Sequence, residues 1–297
     1  MNILISGGTG FIGKALCSLL TSKGHTLYVL TRSSRATEQS NIYYIKWQAT
    51  NETLPIPYVD AVINLAGEPI NSGRWTETKK QQIVSSRVTT TQALLQQLSK
   101  QSNRPHVFIN ASAIGYYGTS LTETFTENNR NAGNDFLATT VDKWEAEAKQ
   151  AENLGMRTVF TRFGIVLGNG GALPSMTLPY RLFAGGTIGS GKQWVSWIHV
   201  EDVARMIVFA LENEQIKGPI NVTAPKPLTM KEFGKVIGKV MKRPHWTPVP
   251  SFALKLILGE MSILVLEGQR VLPEKVMQHG FTFTYPNLEE ALSTILK

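Results

Sequence analysis

The stretch Asn2-Ile-Leu-Ile-Ser-Gly-Gly-Thr-Gly-Phe-Ile-Gly13 decides the fold. It opens on a short apolar run, which is typical of a buried parallel strand. The apolar residues from Phe11 to Lys23 recur at the spacing of one helix face, and Thr26–Thr31 has the pattern of a second strand. Strand, glycine-rich turn, helix and strand together predict the βαβ unit of a dinucleotide-binding fold.

The glycine turn predicts a site for a diphosphate. One glycine permits the tight turn, one lets the backbone approach the ligand, and one lets the helix pack close to the strand. The unpaired N–H groups at the start of the helix favour a negative charge there. A glycine turn without a ligand is the alternative, but the flanking strand and helix favour binding. The turn residues expected to contact the cofactor are Gly7, Thr9, Gly10, Phe11, Ile12 and Gly13.

The end of the second predicted strand indicates which dinucleotide is bound. An NAD site usually carries an acidic residue there for the ribose 2′-hydroxyl. This chain has Thr31-Arg32-Ser33-Ser34-Arg35 instead, with no acidic residue before Glu38. Because a guanidinium grips phosphate well, Thr31, Arg32 and Ser33 predict NADP rather than NAD. A solvated basic loop is the alternative.

Further cofactor contacts are predicted after the fourth strand, Asp60–Leu65. Ligands of a doubly wound sheet lie beyond the carboxyl ends of its strands. Leu65, Ala66 and Gly67 stand at such an end, and two of them are small enough for the backbone to reach the cofactor. Arg87 belongs to a long predicted helix, Lys79–Lys100, and either faces the cofactor or faces solvent.

Strands that alternate with helices predict an α/β Rossmann fold, a doubly wound parallel sheet. The later strands are predicted at 106–112, at 156–162 with an extension to 168, and at 219–223. From about residue 168 the chain becomes rich in glycine loops and short helices, one of them predicted at 271–279. We therefore expect an NADP-binding domain of residues 1–168 and about 196–224. A smaller, mainly helical C-terminal substrate lobe would comprise about 169–195 and 225–297.

Composition narrows the class of protein. The chain has 297 residues, a net charge of +8 and one cysteine, Cys17, so it forms no internal disulfide. Its basic residues are dispersed and its apolar runs fall short of the roughly 20 residues that span a bilayer. We expect no nucleic acid, membrane or metal as partner, and the absence of a leader pattern before the first strand predicts a cytoplasmic location.

Two further motifs do not predict a functional site. Gly186 to Lys192 spells Gly-x-x-x-x-Gly-Lys, but Gln193 follows where a P-loop needs serine or threonine. The segment before it is no clear strand either. His199 lacks a metal-spaced partner, so a structural role is favoured over a catalytic one.

These motifs resemble the extended short-chain dehydrogenase/reductase superfamily of nucleotide-sugar epimerases and dehydratases. More narrowly, the chain is similar to the epimerase family group typified by short-chain dehydrogenase/reductase family 39U member 1. The resemblance runs from the glycine turn to the C-terminus. Stretches that carry it are 65–68, 74–76, 86–87, 112–118, 143–145, 185–202, 259–260, 268–270, 272–273 and 280–281. It implies an NADP-dependent oxidoreductase or epimerase that acts on a small carbonyl or hydroxyl compound. Members of the superfamily often form homodimers.

One part of the superfamily pattern is missing. Its catalytic acid is a tyrosine followed four residues later by lysine, and none of the eight tyrosines of this chain has that spacing. A predicted helix over 134–150 offers Thr139-x-x-x-Lys143, so Lys143 is expected to keep a cofactor role without the phenol. The resemblance makes Ser112 a substrate or nicotinamide contact, and Val166 a nicotinamide contact. Tyr116 or Tyr117 either supplies the phenol or packs at the cleft wall.

Two classes of function therefore stay open. The first is an NADP-dependent enzyme with a nonstandard proton donor. The second is a non-catalytic NADP(H)-binding protein that acts as a redox sensor or a partner-binding module. The missing tyrosine–lysine pair favours the second class. The complete dinucleotide site and a separate C-terminal lobe favour the first, which the sequence as a whole supports better.

Overall fold

The computed structural model describes residues 1–33, 41–49 and 56–296. Its strands, in chain order, are β1 (Asn2–Ser6), β2 (Thr26–Thr31), β3 (Ile42–Lys46), β4 (Ala61–Asn64), β5 (Val107–Ala113), β6 (Thr124–Phe125), β7 (Arg157–Phe163), β8 (Ile165–Gly168), β9 (Gly170–Gly171), β10 (Trp194–Val195), β11 (Trp197–His199), β12 (Gly218–Val222), β13 (Leu228–Thr229) and β14 (Arg270–Val271). Its α-helices are α1 (Phe11–Ser22), α2 (Glu77–Ser99), α3 (Phe136–Ala148), α4 (Leu173–Arg181), α5 (Val200–Glu212), α6 (Met230–Met241), α7 (Ser251–Leu258), α8 (Ile263–Leu266), α9 (Glu274–Gln278) and α10 (Leu288–Ile295). Short 3-10 helices cover Ile114–Tyr117, Lys149–Leu154 and Gly259–Ser262.

A parallel sheet of seven strands forms the centre, in the order β12-β7-β5-β4-β1-β2-β3. The chain leaves β1 toward β2 on one side and returns to β4 on the other, so the topological switch lies between β1 and β4. Ligands of such sheets bind beyond the carboxyl ends of the strands at this switch. The predicted α/β Rossmann class is confirmed.

Helices cover both faces of this sheet. On one face, α1 and α5 bury apolar side chains of β1, β2 and β4, for example Leu16 and Ile207 against Ile3 and Ile63. On the other face, the second half of α2 packs Leu94 and the rest of its apolar stripe onto the sheet. Strands buried on both sides are nearly all apolar, which explains the continuous hydrophobic runs of β1 and β4.

The C-terminal segments have a core of their own. Helices α4, α6 and α10 meet around Phe233, Tyr180 and Leu292, with Trp197 of β11 beneath them. α6 begins at a capping box in which the Thr229 side chain and Glu232 bond each other's backbone N–H groups. The mainly helical character predicted for this lobe is confirmed. The predicted residue bounds of the two domains stay a prediction.

Two predicted elements differ from the structure. The strand predicted to run from 156 to 168 is two strands, because the chain leaves the sheet at Gly164 and β8 pairs with β11 instead. A side chain at Gly164 would lie 2.4 Å from the Ser196 carbonyl oxygen, so only glycine fits this departure. The helix predicted at 271–279 begins at Glu274, because Pro273 disfavours helical backbone at Leu272.

The glycine-rich run Gly186 to Lys192 follows the end of α4, a helix, and not the strand that a P-loop requires. This arrangement is consistent with the prediction that the run is not a P-loop. Within the described residues, none of the helices combines the length and the apolarity needed to cross a membrane.

Candidate functional site

The glycine turn after β1 is shaped by two close approaches. Gly7 has a φ of +70°, and a Cβ there would lie 2.7 Å from the Leu65 carbonyl carbon. A Cβ on Gly13 would lie 2.3 Å from the Gly7 carbonyl oxygen. The turn is closed by a 3.0 Å hydrogen bond from the Gly10 N–H to the Gly7 carbonyl. The first turn of α1 is therefore pressed against backbone, which keeps the cradle free of side chains.

The start of α1 has the chemistry of an anion site. Gly10 is its N-cap residue, and no side chain of the described chain caps the first turn. The first N–H groups of a helix need acceptors, and the positive end of the helix dipole favours an anion. Gly10 is exposed and Thr9 is half-buried beside it. The cradle thus fits a diphosphate.

Phe11 packs away from this cradle. A Cβ on Gly168 or Gly170 would lie within 2.8 Å of its ring, so both glycines of the β8–β9 hairpin make room for it. Ile12 packs onto the sheet core. Phe11 and Ile12 therefore support the turn from one side.

The end of β2 supplies a basic group at the same edge of the sheet. Thr31 is buried and its hydroxyl donates a hydrogen bond to the Ser33 carbonyl. Arg32 and Ser33 are exposed. Ser34 and Arg35, which belong to the same predicted motif, lie outside the described residues.

The loop after β4 lies across the glycine turn. The Ala66 N–H donates to the Ser6 hydroxyl at 3.3 Å, and Leu65 and Ala66 are half-buried. Gly67 is exposed, and a Cβ there would lie 3.2 Å from the guanidinium carbon of Arg87. The predicted loop residues and the predicted turn residues are thus brought together.

Arg87 is turned toward this loop. Its Nη1 donates to the Ile83 carbonyl at 2.9 Å, and its guanidinium carbon lies 5.1 Å from the Trp144 ring centroid. Burial lowers the pKa of Arg87 to about 10, and the negative charge of Glu68 opposes part of that shift. A half-buried guanidinium of this kind favours an anionic ligand.

Glu68 and Lys79 join this group, and neither was predicted from the sequence as a site residue. Lys79 Nζ lies 2.8 Å from Glu68 Oε1, and the Glu68 N–H donates to the Ser86 hydroxyl. The bond from Lys79 lowers the pKa of Glu68, and the charges of Arg32 and Arg87 lower it further. Lys79 therefore pairs directly with this carboxylate, and the charges of Arg32 and Arg87 act on it from further away. We call Arg32, Glu68, Lys79 and Arg87 the basic cluster.

A buried network of polar side chains fixes the strands beneath the site. Asn64 donates from Nδ2 to Asn110 Oδ1 at 2.7 Å and to the Thr91 hydroxyl at 2.9 Å. The Ser6 hydroxyl donates to Asn64 Oδ1, and the Trp144 indole N–H donates to Thr91. Because each of these groups has a partner, the network holds β1, β4, β5 and two helices in a single register.

Ser112 at the end of β5 is held by a buried ion pair. Its hydroxyl donates to Glu145 Oε1, and it is only 2% exposed. Arg162 Nε and Nη2 each lie 2.8 Å from a carboxylate oxygen of Glu145. Burial lowers the pKa of Arg162, but the bonds and charge of Glu145 outweigh that effect and raise it above its usual value. Neither Glu145 nor Arg162 was singled out as a site residue from the sequence, because a buried salt bridge has no periodic signature.

Tyr116 and Tyr117 pack beside this ion pair. The Tyr116 hydroxyl donates to the Arg130 carbonyl, and the Tyr117 hydroxyl donates to Asn221 Oδ1 at 2.7 Å. The Arg162 guanidinium carbon lies 3.5 Å from the Tyr116 ring centroid. Burial raises the pKa of both phenols, which opposes proton release at neutral pH. These contacts fit the packing role, and the catalytic role stays a prediction.

Lys143 lies on the exposed face of α3, and its predicted cofactor role stays a prediction. Lys143 and Thr139 are exposed, whereas Glu145 on the same helix is buried against Ser112. Residues two apart lie about 200° apart around an α-helix, so Lys143 and Glu145 occupy opposite faces. The Thr139 hydroxyl donates to the Asp135 and Phe136 carbonyls of its own helix.

Val166 and His199 lie in neighbouring strands. Val166 of β8 is half-buried and pairs with Ile198 of β11. His199 Nδ1 accepts the Glu201 N–H and so caps α5, while its ring lies 3.9 Å from that of Tyr285. Burial lowers the pKa of His199. These contacts give His199 a structural role.

An open depression of about 410 Å³ lies at the surface of the C-terminal segments. It is lined by Thr119, which follows the tyrosine pair, and by residues at and after α7. Those residues are Lys255, Glu260, Ser262, Ile263, Leu266 and Glu267. α7 is held over the sheet domain by Arg74, which donates to the Leu256 and Ile257 carbonyls.

The architecture and the glycine cradle are matched by a known family. The family described as the NAD dependent epimerase/dehydratase family matches residues 3–223. The chain belongs to this family. A domain of unknown function, DUF1731, matches residues 249–295. The resemblance to the extended short-chain dehydrogenase/reductase group is thereby confirmed.

Curated relatives of the family align over the full chain. Epimerase family protein YfhF of Bacillus subtilis is 52% identical over 298 residues, covering 100% of this chain and 98% of that protein. An epimerase family protein of Staphylococcus haemolyticus is 44% identical over 99% of this chain and 98% of its own length.

Solved structures share the fold. Human epimerase family protein SDR39U1 (isoform 2), crystallised with NADPH, superposes with a TM-score of 0.91 at 36% identity over 99% of both chains. UDP-glucose 4-epimerase of Thermotoga maritima superposes with a TM-score of 0.79 at 18% identity, covering 99% of this chain and 96% of that one. The second likeness concerns the fold alone.

Proposed function

We propose that this member of the epimerase family binds NADP(H) in preference to NAD(H). The basic cluster carries the proposal, because three cations beside the glycine cradle suit the additional 2′-phosphate of NADP. The N–H groups at the start of α1 would hold the diphosphate. Support also comes from the related human protein, whose structure was solved with NADPH.

Titration of purified protein with NADPH and with NADH tests this proposal. We expect quenching of intrinsic tryptophan fluorescence at a lower NADPH concentration than NADH concentration. Equal affinities, or tighter binding of NADH, would remove the proposed role of the basic cluster. Binding of neither cofactor would remove the proposed dinucleotide site itself.

We infer that the protein is an NADP-dependent oxidoreductase or epimerase that acts on a small carbonyl or hydroxyl compound. NADP(H) would supply or accept the hydride. Support for this class of reaction comes from the family match over residues 3–223 and from the uncapped start of α1, which fits a dinucleotide diphosphate.

A second function is favoured by the hydroxyl groups near β5. Ser112 donates to a carboxylate, Tyr116 to a backbone carbonyl and Tyr117 to an amide oxygen. A general acid must reach its substrate at about 3 Å, and each of these groups already has its own acceptor. A non-catalytic NADP(H)-binding sensor or partner-binding module is consistent with that arrangement.

A carbonyl panel separates the two functions. NADPH absorbance is followed with wild-type protein, with Tyr117→Phe and with Ser112→Ala, after NADPH binding has been confirmed for all three. Oxidation that falls at least tenfold in either variant supports the enzyme with that residue as proton donor or substrate contact. Tight binding without oxidation by any compound supports the sensor.

We further infer a cytoplasmic location, supported by a single cysteine that is buried.

A further inference from the structure

An apolar surface of the C-terminal lobe is left uncovered by the described residues. Leu182 and Phe183 end α4 with exposed fractions of 69% and 54%, and Trp246 beside them is 72% exposed. The Trp246 indole N–H donates to the Phe183 carbonyl at 2.9 Å, so these side chains form a single patch. Side chains of this size are seldom left so exposed as a group in soluble proteins.

Helix α7 extends this patch. The backbone of Val249 pairs with residues 187–189, and α7 begins at Ser251, where a Cβ on Gly189 would lie 3.0 Å from the Ser251 hydroxyl. Phe252 and Leu256 are one helical turn apart, so they share a face, with exposed fractions of 74% and 79%. We call Leu182, Phe183, Trp246, Phe252 and Leu256 the apolar surface.

The two segments that carry the apolar surface are basic. Residues 164–200 and residues 233–259 have no aspartate or glutamate. Glu232 and Glu260 border the second segment, and Glu260 is paired with Lys80. Arg243 lies directly in the patch, with its guanidinium carbon 4.2 Å from the Phe183 ring centroid. Further exposed cations of the two segments are Arg181, Lys192, Lys235, Lys239, Lys242 and Lys255. Lys239 is paired with Glu289.

The positive charge of this surface indicates what kind of partner can bind to it. A second copy of the chain would bring two positive surfaces together, which is repulsive. A negatively charged partner with an apolar interior is favoured instead. Protruding aromatic and leucine side chains with interspersed arginine and lysine match the interfacial zone of an anionic bilayer.

We propose that the apolar surface binds peripherally to anionic lipid membranes. Trp246, Phe183 and the exposed face of α7 insert into the headgroup boundary, and Arg243 with its neighbouring cations contacts the lipid phosphates. This departs from the expectation drawn from the sequence, which considered only spanning segments. Exposure of these side chains becomes visible only in the folded chain.

Co-sedimentation of the full-length protein with vesicles tests the proposal. The vesicles contain either phosphatidylcholine alone or phosphatidylcholine with 30% phosphatidylglycerol. We expect binding to the anionic vesicles only, and a loss of that binding at 500 mM NaCl. Trp246→Ser and Phe252→Ser should each weaken binding about tenfold, since each removes a large exposed apolar group that would insert into the bilayer. Arg243→Gln should weaken it about fivefold.

Two controls match these variants. Met277→Ser alters an exposed apolar residue of α9, which packs beside β12, and Lys100→Gln removes an exposed charge at the end of α2. Both should bind vesicles like the wild type, and all variants should retain the wild-type circular dichroism spectrum. Absence of vesicle binding, equal binding to both lipid compositions, or binding unchanged by Trp246→Ser and Phe252→Ser would overturn the proposal. So would concentration-dependent self-association that Trp246→Ser abolishes, which would identify a second copy as the occupant.

Discussion

Glu145 of α3 and Arg162 of β7 form a bidentate ion pair in the interior, with both nitrogen–oxygen distances at 2.8 Å. The pair joins a helix to the central sheet and holds the Ser112 hydroxyl at the end of β5. The rings of Tyr116 and Tyr117, which meet edge to face, both lie against the guanidinium. The Ser112 hydroxyl therefore has its acceptor inside the protein, on a carboxylate that is itself paired.

Glu145→Gln should destabilise the protein by about 3–5 kcal/mol, because it leaves the buried guanidinium of Arg162 without its carboxylate. Urea unfolding followed by circular dichroism measures the change. Glu147→Gln, two residues along the same helix and half-buried, is the matched control and should change stability by less than about 0.5 kcal/mol.

A double variant separates the loss of the charge pair from the loss of packing. Glu145→Leu with Arg162→Met replaces the pair by apolar side chains and should be more stable than Glu145→Gln alone. If the double variant is the less stable of the two, the penalty comes from packing and the electrostatic argument does not hold.

Gly13→Ala should abolish dinucleotide binding at concentrations that saturate the wild type. The added methyl group would lie 2.3 Å from the Gly7 carbonyl oxygen, which is backbone and cannot rotate away, so the cradle must open. Fluorescence titration with NADPH measures the effect. Ser18→Ala, on the exposed face of the same helix, should bind like the wild type. Retained binding by Gly13→Ala would show that the turn tolerates a wider spacing than its geometry indicates.

The sequence predicted those parts of the structure that depend on local sequence patterns. The glycine turn, the parallel strands and the helix over 77–99 follow from apolar periodicity and from the steric demands of glycine. The spacing from Thr139 to Lys143 did not indicate that Glu145, on the other face of α3, is the residue that meets β5. Glu68, Lys79 and Arg162 were missed since their partners are distant in sequence, at separations that only the fold sets.

Arg32→Gln and Lys79→Gln should each weaken NADP⁺ binding about tenfold or more and leave NAD⁺ binding unchanged. A charge-assisted bond to phosphate contributes roughly 1.5–3 kcal/mol, and NAD⁺ lacks that phosphate. Calorimetric titration with both cofactors gives the ratio of affinities. Lys100→Gln, exposed and remote at the end of α2, should leave the ratio unchanged. A loss of both affinities to the same extent would place these residues against the diphosphate and not the 2′-phosphate.

His199→Asn should reduce the loss of stability that the protein suffers as the pH falls below about 6.5. Burial holds the pKa of His199 below that value in the folded state, and the charges of Glu201 and Asp202 offset only part of the shift. The unfolded chain therefore binds a proton first, so stability declines from about pH 6.5 down to the folded pKa and then levels. Asparagine keeps an acceptor for the Glu201 N–H, so the cap on α5 is retained.

Urea unfolding between pH 8 and pH 5 measures this dependence for the wild type and for His199→Asn. The two curves should run parallel above pH 7 and separate below pH 6.5, with the wild type the steeper. His25 and His245 also have pKa values lowered by burial, but they contribute equally to both curves. Curves that stay parallel down to pH 5 would mean that the pKa of His199 is the same in the folded and the unfolded chain, so that neither its burial nor the cap disfavours the charged form.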